Sequence, residues 1–487
     1  MTVAQDIDHV DVLIVGAGLS GVGAACHLTR RCPDRSFMLL ESRERLGGTW
    51  DLFRYPGIRS DSDMFTLGYT FKPWTEPKTL ADGPAILNYI RETAEQYGVD
   101  RHIRYRQRVT RADWNSLTAR WTVTVECTDT GTQRQVTCNF LYSCSGYYRY
   151  DQGYTPHFEG QESFRGPLFH AQQWPEDLDY TDKRVVVIGS GATAVTIVPE
   201  LARKTALTTM LQRSPTYIAS LPGEDAMAIA MRRWLPESWV YHITRWKKIL
   251  LQLVTFKLAR KRPARVKAFL LGMVRKELGP DYDVDTHFTP RYNPWDERLC
   301  AIPDGDMFAA IREKRVEVVT DHIDHFTESG IVLQSGRHLE ADIVVLATGL
   351  NMLYMGGIQL AVDGREIDPS KHFVYRGMML SGVPNFAQAF GYTNSSWTLK
   401  ADLTAQYVCR LLNYMRRKGK NTALPVLDPR DVTEEPMLDF TSGYIQRAID
   451  QFPRQARENP WRVYQNYFMD LLNLRCRPLK DSALRFR

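Results

Sequence analysis

Two short glycine-rich runs carry the first chemical suggestion. Gly16-Ala17-Gly18-Leu19-Ser20-Gly21 follows an apolar run from Val10 to Val15, and Gly189-Ser190-Gly191-Ala192-Thr193-Ala194 follows another from Arg184 to Ile188. In a G-x-G-x-x-G/A loop the first glycine allows a tight turn and the second lets backbone amides approach a pyrophosphate. The last small residue lets the following helix pack against the sheet. That helix offers unbonded N–H groups and a positive dipole end to phosphate, and Ser20 adds a hydroxyl donor in its first turn. The two units differ in what ends their second strands. Phe37 to Leu40 leads to Glu41, whose carboxylate accepts from ribose hydroxyls and repels a 2′-phosphate, so the first unit suits FAD or NAD. Leu207 to Leu211 leads to Gln212-Arg213-Ser214. A guanidinium and a hydroxyl there suit a 2′-phosphate. The second unit therefore reads as an NADPH site, made by Gly189, Ser190, Gly191, Ala192, Thr193, Ala194 and Val195, with Arg213 and Ser214 at the 2′-phosphate.

Both loops need the same scaffold: a buried parallel strand, a turn and a helix of small residues. The expected fold is α/β, with two Rossmann-like dinucleotide-binding domains and a helical insert. Residues 1–150 read as the first part of an FAD-binding domain and 151–221 as the first part of an NADPH-binding domain. Residues 222–290 read as the insert, 291–340 as the rest of the NADPH domain, and 341–487 as the rest of the FAD domain with a C-terminal tail. Gln107 to Asp113 and Arg120 to Glu126 alternate as antiparallel strands do, and Phe140 to Gly146 is a further strand ending at glycine. The stretch after Asn459 offers no motif. No internal repeat stands out beyond the two nucleotide units.

Two further runs narrow the class. Phe164-Arg165-Gly166-Pro167-Leu168-Phe169-His170-Ala171-Gln172-Gln173-Trp174-Pro175 lies between the nucleotide units, with the pattern F-x-G-x-x-x-H-x-x-x-W-P. Gly47-Gly48-Thr49-Trp50-Asp51-Leu52-Phe53-Arg54-Tyr55-Pro56-Gly57-Ile58-Arg59-Ser60-Asp61 follows the first unit, with the pattern G-G-x-W-x-x-x-x-[FY]-P-G-x-x-x-D. Together they resemble the fingerprints of the Baeyer–Villiger monooxygenases, and the resemblance covers almost the whole chain. It implies bound FAD reduced by NADPH, oxygen added as a C4a-peroxyflavin, and conversion of ketones to esters or lactones. Oxidation of sulfides or thioamides is implied as well. It also implies that Asp61 lies near the flavin ring and pairs with a catalytic arginine, identified by position as Arg298. Thr49, Trp50, Asp51, Leu52, Arg59 and Ser60 become cofactor contacts, and the Val109 backbone contacts the adenine. Asp342 to Gly349 becomes the strand that returns the chain to the FAD domain. A guanidinium fixed beside the flavin would stabilise a peroxide anion and the oxyanion formed on attack at a carbonyl. One departure concerns Glu297: relatives often place a lysine there to help hold the 2′-phosphate, so NADPH preference rests on Arg213 and Ser214.

Other classes fall away. A pyridine-nucleotide disulfide reductase needs a redox cysteine pair after Gly47-Gly48-Thr49, and none is present. The eight cysteines are scattered without a C-x-x-C pair, which argues against a disulfide framework or a metal site and reads as a cytoplasmic protein. The net charge of +6 over 487 residues is mild and does not suggest nucleic acid. The partners expected are O2 and a small lipophilic ketone or sulfur-containing substrate; oligomeric state is not legible. From Pro222 to Gly279 tryptophans, aliphatic residues and Lys/Arg alternate at helical spacing. We read this first as a solvated face over a packed helical subdomain, with peripheral contact to an anionic membrane as the alternative. Two other functions stay open at this level: a flavin-containing N- or S-heteroatom monooxygenase, and a non-catalytic FAD-binding sensor.

Overall fold

The computed structural model describes residues 8–297, 299–428, 430, 432–438 and 442–487. The apolar run after Val10 becomes the strand Asp8–Val15, buried from Val12 onward, with Val15 at the wall of the cleft. It pairs in parallel with Phe37–Leu40 on one side and with Gln133–Ser143 on the other. The sheet grows outward from Gln133–Ser143 through the antiparallel strands Arg120–Cys127 and Gln107–Asn115. Its far edge is formed by Gln359–Val362 and Arg365–Ile367, so the chain's later residues complete the first domain. Helices Leu19–Arg31 and Trp397–Arg417 cover one face. Between them Asp402 accepts from His27 Nε2 at 2.9 Å and from the Thr70 N–H at 2.9 Å.

The second sheet has five strands, all parallel, in the order Val316–Thr320, Leu207–Gln212, Arg184–Ile188, Ile343–Leu346, Leu168–His170. This corrects the expected boundary at residues 340 and 341. Ile343–Leu346 is buried at every position and sits between two neighbours, as a continuous apolar run in a parallel sheet must. The second domain therefore extends past Leu346. Asp342 fastens that strand, accepting from the Arg184 N–H at 2.7 Å and from its guanidinium at 2.8 Å. The fingerprint linker also supplies more than a connection, since Leu168–His170 is the edge strand of the sheet. Gly330–Leu333 lies in a separate antiparallel sheet with Ile323–Thr327 and His338–Glu340.

The insert is helical as expected, with Ala226–Met231, Glu237–Lys261, Pro263–Leu278 and Val284–Phe288. The inward face of the long helix Glu237–Lys261 is buried at Val240, Tyr241, Thr244, Arg245 and Ile249. Arg245 Nη1 donates to the Phe65 carbonyl at 2.6 Å and to the Gly68 carbonyl at 2.8 Å. About two turns further on, Gln252 Nε2 donates to Asp63 at 3.3 Å and its carbonyl accepts from Ser395 Oγ at 2.5 Å. The insert thus clamps the segment that follows Asp61. Its outward face departs from expectation: Trp239, Trp246, Leu250 and Val254 are exposed there in place of a polar, solvated surface. No helix among the described residues is long and apolar enough to cross a membrane.

Candidate active site

The two glycine loops open onto one cleft of about 1180 Å³ that runs between the sheets. At its first end, Gly16 adopts φ +98°, and a side chain there would stand 2.6 Å from the Cys144 carbonyl oxygen, so only glycine fits the turn. Gly18 precedes the helix, whose first internal bond runs from the Val22 N–H to the Gly18 carbonyl at 3.0 Å. The amides ahead of Val22 therefore point out of the helix end toward the cleft. Ser20 lines the same wall, and its Oγ accepts from Trp397 Nε1 at 2.7 Å, which leaves the hydroxyl hydrogen to donate toward a phosphate.

Glu41 is buried at the strand end, and its carboxylate accepts from the Ala17 N–H at 2.8 Å and the Arg43 N–H at 3.0 Å. Burial raises its pKa, and those two amides oppose the rise. The carboxylate is thus aimed and held before any ribose arrives. Val109 lines the cleft beyond it, beside Gln107 and Arg108.

The loop through residues 53–61 crosses from the first domain to the second. Tyr55 is buried and hydrogen-bonds the Thr193 side chain, while desolvation keeps its hydroxyl protonated far above the usual range. Gly57 packs against the backbone and side chain of Thr196 and Glu200 on the second fingerprint helix, Ala192–Leu201. Arg59 Nη1 pairs with Asp306 at 2.6 Å, tying the loop to the second domain. Arg59, Ser60 and the exposed Asp61 all reach the cleft, as do Thr49 and Trp50.

At the other end, Gly189, Ser190, Gly191, Ala192 and Thr193 line the cleft together with Arg213 and Ser214. Ser190 Oγ donates to the Ser214 carbonyl at 2.9 Å, fixing the turn after the second strand. Glu297 faces the same end. Burial raises its carboxyl pKa and the nearby Arg213 guanidinium opposes that rise.

Five expected contacts stand behind the wall. Gly21 packs on the Gly16 carbonyl, where a Cβ would collide. Asp51 is buried in ion pairs with Arg43 at 2.6 Å and Arg45 at 3.3 Å, so it braces the glycine turn. Leu52 packs on the second domain's core, and Ala194 and Val195 belong to that core. Arg298 lies outside the described residues.

The linker holds the two domains in register. Phe164 packs edge-on against Phe326, and Gly166 approaches the Asp342 carbonyl too closely for any side chain. His170 is buried between the linker and the end of Ile343–Leu346, with Nε2 on the Gly349 carbonyl at 2.9 Å. Gln172 Nε2 donates to the carbonyls of Arg149 and Tyr150, each at 2.9 Å. Residues that sequence reasoning did not assign to the site include Tyr55, Ser395 and Trp397. Tyr55 lies in the 47–61 run quoted above, but nothing in a linear sequence brings Trp397 to Ser20.

The cleft fits a dinucleotide on each glycine loop: an oriented carboxylate at one second-strand end, a cation and a hydroxyl at the other, and exposed helix amides at both. Comparisons with known proteins agree. A model described as flavin-binding monooxygenase-like matches residues 75–260, and one for an NAD(P)-binding Rossmann-like domain matches residues 14–75. The FAD-containing monooxygenase EthA of Mycobacterium tuberculosis is 53% identical over 480 residues, covering 98% of each chain. A probable FAD-binding monooxygenase, AlmA of Acinetobacter baylyi, is 47% identical over 481 residues, covering 98% of this chain and 96% of its own. Among solved structures, an oxidised steroid monooxygenase bound to NADP superposes with TM-score 0.72 at 25% identity, covering 87% of this chain and 88% of that one. An open form of cyclohexanone monooxygenase shares the fold with TM-score 0.72 at 20% identity, covering 87% and 90%. With this similarity along its whole length, the chain belongs to the FAD-containing, flavin-binding monooxygenase-like family.

Proposed function

We propose that this monooxygenase is of the Baeyer–Villiger type, taking electrons from NADPH and inserting an oxygen atom beside the carbonyl of a lipophilic ketone to give an ester or lactone. The observation that carries the reading is the shared cleft. The cradle with the ribose-binding carboxylate and the cradle with Arg213 open into one space, and the loop ending on Asp61 is wedged between them. When bound, FAD reduced by NADPH supplies the activated oxygen, as cofactors do for chemistry that side chains cannot perform. The chain's part is to bind, orient and charge the space. Glu41 and the helix amides after Gly18 hold the FAD ribose and pyrophosphate; Arg213 and Ser214 hold the 2′-phosphate. Asp61 lines the cleft, and by the family resemblance Arg298 would supply the cation that stabilises negative charge developing on oxygen. Arg245 and Gln252, by holding the 63–68 segment from behind, keep Asp61 in place. Sulfides and thioamides, being soft nucleophiles, are the secondary substrate class.

The test is product analysis under labelled oxygen. The purified yellow protein with NADPH, ¹⁸O2 and a phenyl ketone should yield ester carrying one labelled atom. Sulfoxide from a phenyl sulfide with no ester from any ketone would reassign the chain to heteroatom oxygenation. Absence of NADPH oxidation would leave a binding protein.

A further inference from the structure

The long insert helix has two faces with different duties, and only one is occupied. Its inward face clamps the loop behind Asp61, as described above. On the outward face Trp239, Ile243, Trp246, Leu250, Val254 and Leu258 follow one another at three- and four-residue spacing, and all six are exposed. Trp234, in the turn before the helix, is 86% exposed. A second segment, distant in sequence, extends the same surface. The Trp246 ring lies 5.7 Å from Phe468 and 5.8 Å from Tyr467, and Phe468, Met469 and Leu472 are exposed beside it. Single exposed apolar residues need no explanation, but a contiguous patch made from two segments marks an interaction surface.

Charge selects the occupant. Lys257 and Lys261 continue the stripe at the same spacing, and Arg262 and Arg265 follow at the turn into the next helix, all exposed. Between Met231 and Lys276 the one acidic residue is Glu237, which is already paired with Arg232 at 3.0 Å. A second copy of this chain meeting the patch about a two-fold axis would set these cations against each other with no acid to answer them. An anionic lipid surface answers all of them, while its acyl boundary accepts the tryptophan and leucine side chains.

We infer that this face, the outward side of Glu237–Lys261 with the 467–472 segment, docks the enzyme on an anionic membrane surface. The helix lies in the interfacial plane rather than crossing it. The same helix holds the Asp61 loop on its other side, so docking sets the reaction cleft one helix diameter from the lipid in which a lipophilic substrate dissolves. That purpose rests on the ketone reading above; the docking itself does not.

The test is co-sedimentation of the full-length FAD-loaded protein with vesicles of phosphatidylglycerol and phosphatidylcholine, against vesicles of phosphatidylcholine alone. The wild type is expected to sediment with the anionic vesicles, and less so at high salt. Trp239→Ser with Leu250→Ser, both at exposed positions, should lower apparent lipid affinity about tenfold or more. Lys257→Glu with Lys261→Glu should do the same by charge alone. Both double variants should keep their FAD and their NADPH-dependent turnover of a water-soluble ketone in lipid-free buffer. That lipid-free turnover also separates failure of docking from failure of the ketone reading. No sedimentation of the wild type with anionic vesicles at low salt would overturn the inference, as would sedimentation unchanged in both variants. A dimer that the Ser variant converts to monomer, without vesicle binding by the wild type, would give the face to a second copy instead.

Discussion

His170 and Gly349 are joined at the ends of two neighbouring strands of the second sheet: the imidazole Nε2 donates to the Gly349 carbonyl at 2.9 Å while Nδ1 accepts from the Gln172 N–H at 3.1 Å. Both ring nitrogens are used, so the neutral ring with its proton on Nε2 is the form that fits. Burial lowers its pKa below the ordinary 6.5, in keeping with that state. The unfolded chain takes up this proton near 6.5 and the folded chain only at lower pH. Stability therefore rises with pH through the window between, and the contribution is complete above 6.5. His170→Gln should flatten the decline in melting temperature below about pH 6.5 relative to wild type. An identical pH slope in the variant would contradict this role. His170→Ala removes one of the two hydrogen bonds to the Gly349 carbonyl, the other coming from the Tyr154 N–H at 3.0 Å, and takes the acceptor from the Gln172 N–H, which should cost roughly 1–3 kcal/mol.

On the proposed function, Arg213 and Glu297 would set the choice between nicotinamide cofactors. Arg213→Ala removes a charge-assisted contact to the 2′-phosphate, so KM for NADPH should rise about 10- to 100-fold with little change for NADH. Glu297→Gln should act in the opposite direction, lowering KM for NADPH alone. Burial raises the Glu297 pKa, so its repulsion of the phosphate weakens as pH falls toward that raised value. KM for NADPH in the wild type should fall on acidification more than in the Gln variant. Steady-state kinetics with both cofactors decides; equal effects on NADH and NADPH would remove both residues from the 2′-phosphate.

Lys400 and Asp470 form a buried pair at 3.2 Å, with Tyr392 also donating to Asp470 at 2.8 Å. Burial raises the Asp470 pKa and the Lys400 charge opposes the rise. Lys400→Met strands a buried carboxylate and should destabilise the fold by about 3–5 kcal/mol, whereas Lys400→Met with Asp470→Leu should cost clearly less than the two single changes summed. Chemical denaturation of the three variants measures this. Additive losses would mean that the pair is not coupled.

Arg298→Ala should leave FAD content and anaerobic flavin reduction by NADPH close to wild type while abolishing ester formation. Normal ester yield from that variant would move the catalytic cation elsewhere.

Much of the site was legible because its chemistry is local. Gly16, Gly18 and Glu41 lie within the first strand–turn–helix–strand unit and Arg213 at the end of the second, where spacing alone dictates what each residue faces. Pairings across the chain were less accessible. Ile343–Leu346 announces a buried strand through four apolar residues, yet nothing in those residues says which of the two sheets it joins. Asp51, a cofactor contact only by the family resemblance, is buried in ion pairs with Arg43 and Arg45 that its own sequence neighbourhood does not announce. The bond from Trp397 to Ser20 spans most of the chain, and the tail containing Asp470 carries no motif although it anchors a buried lysine. Helical periodicity showed that Glu237–Lys261 has distinct faces. It could not show that an apolar one would be left outside, because that depends on what the rest of the fold covers.

The most direct test of the central claim is a single turnover. The FAD-loaded protein is reduced with one equivalent of NADPH without oxygen, freed of excess nicotinamide, and mixed with oxygenated buffer containing a phenyl ketone and, separately, a phenyl sulfide. Complete bleaching of the flavin by NADPH is expected, and then ester approaching one equivalent per flavin from the ketone. Reoxidation that releases only hydrogen peroxide with the ketone, but sulfoxide with the sulfide, would contradict it.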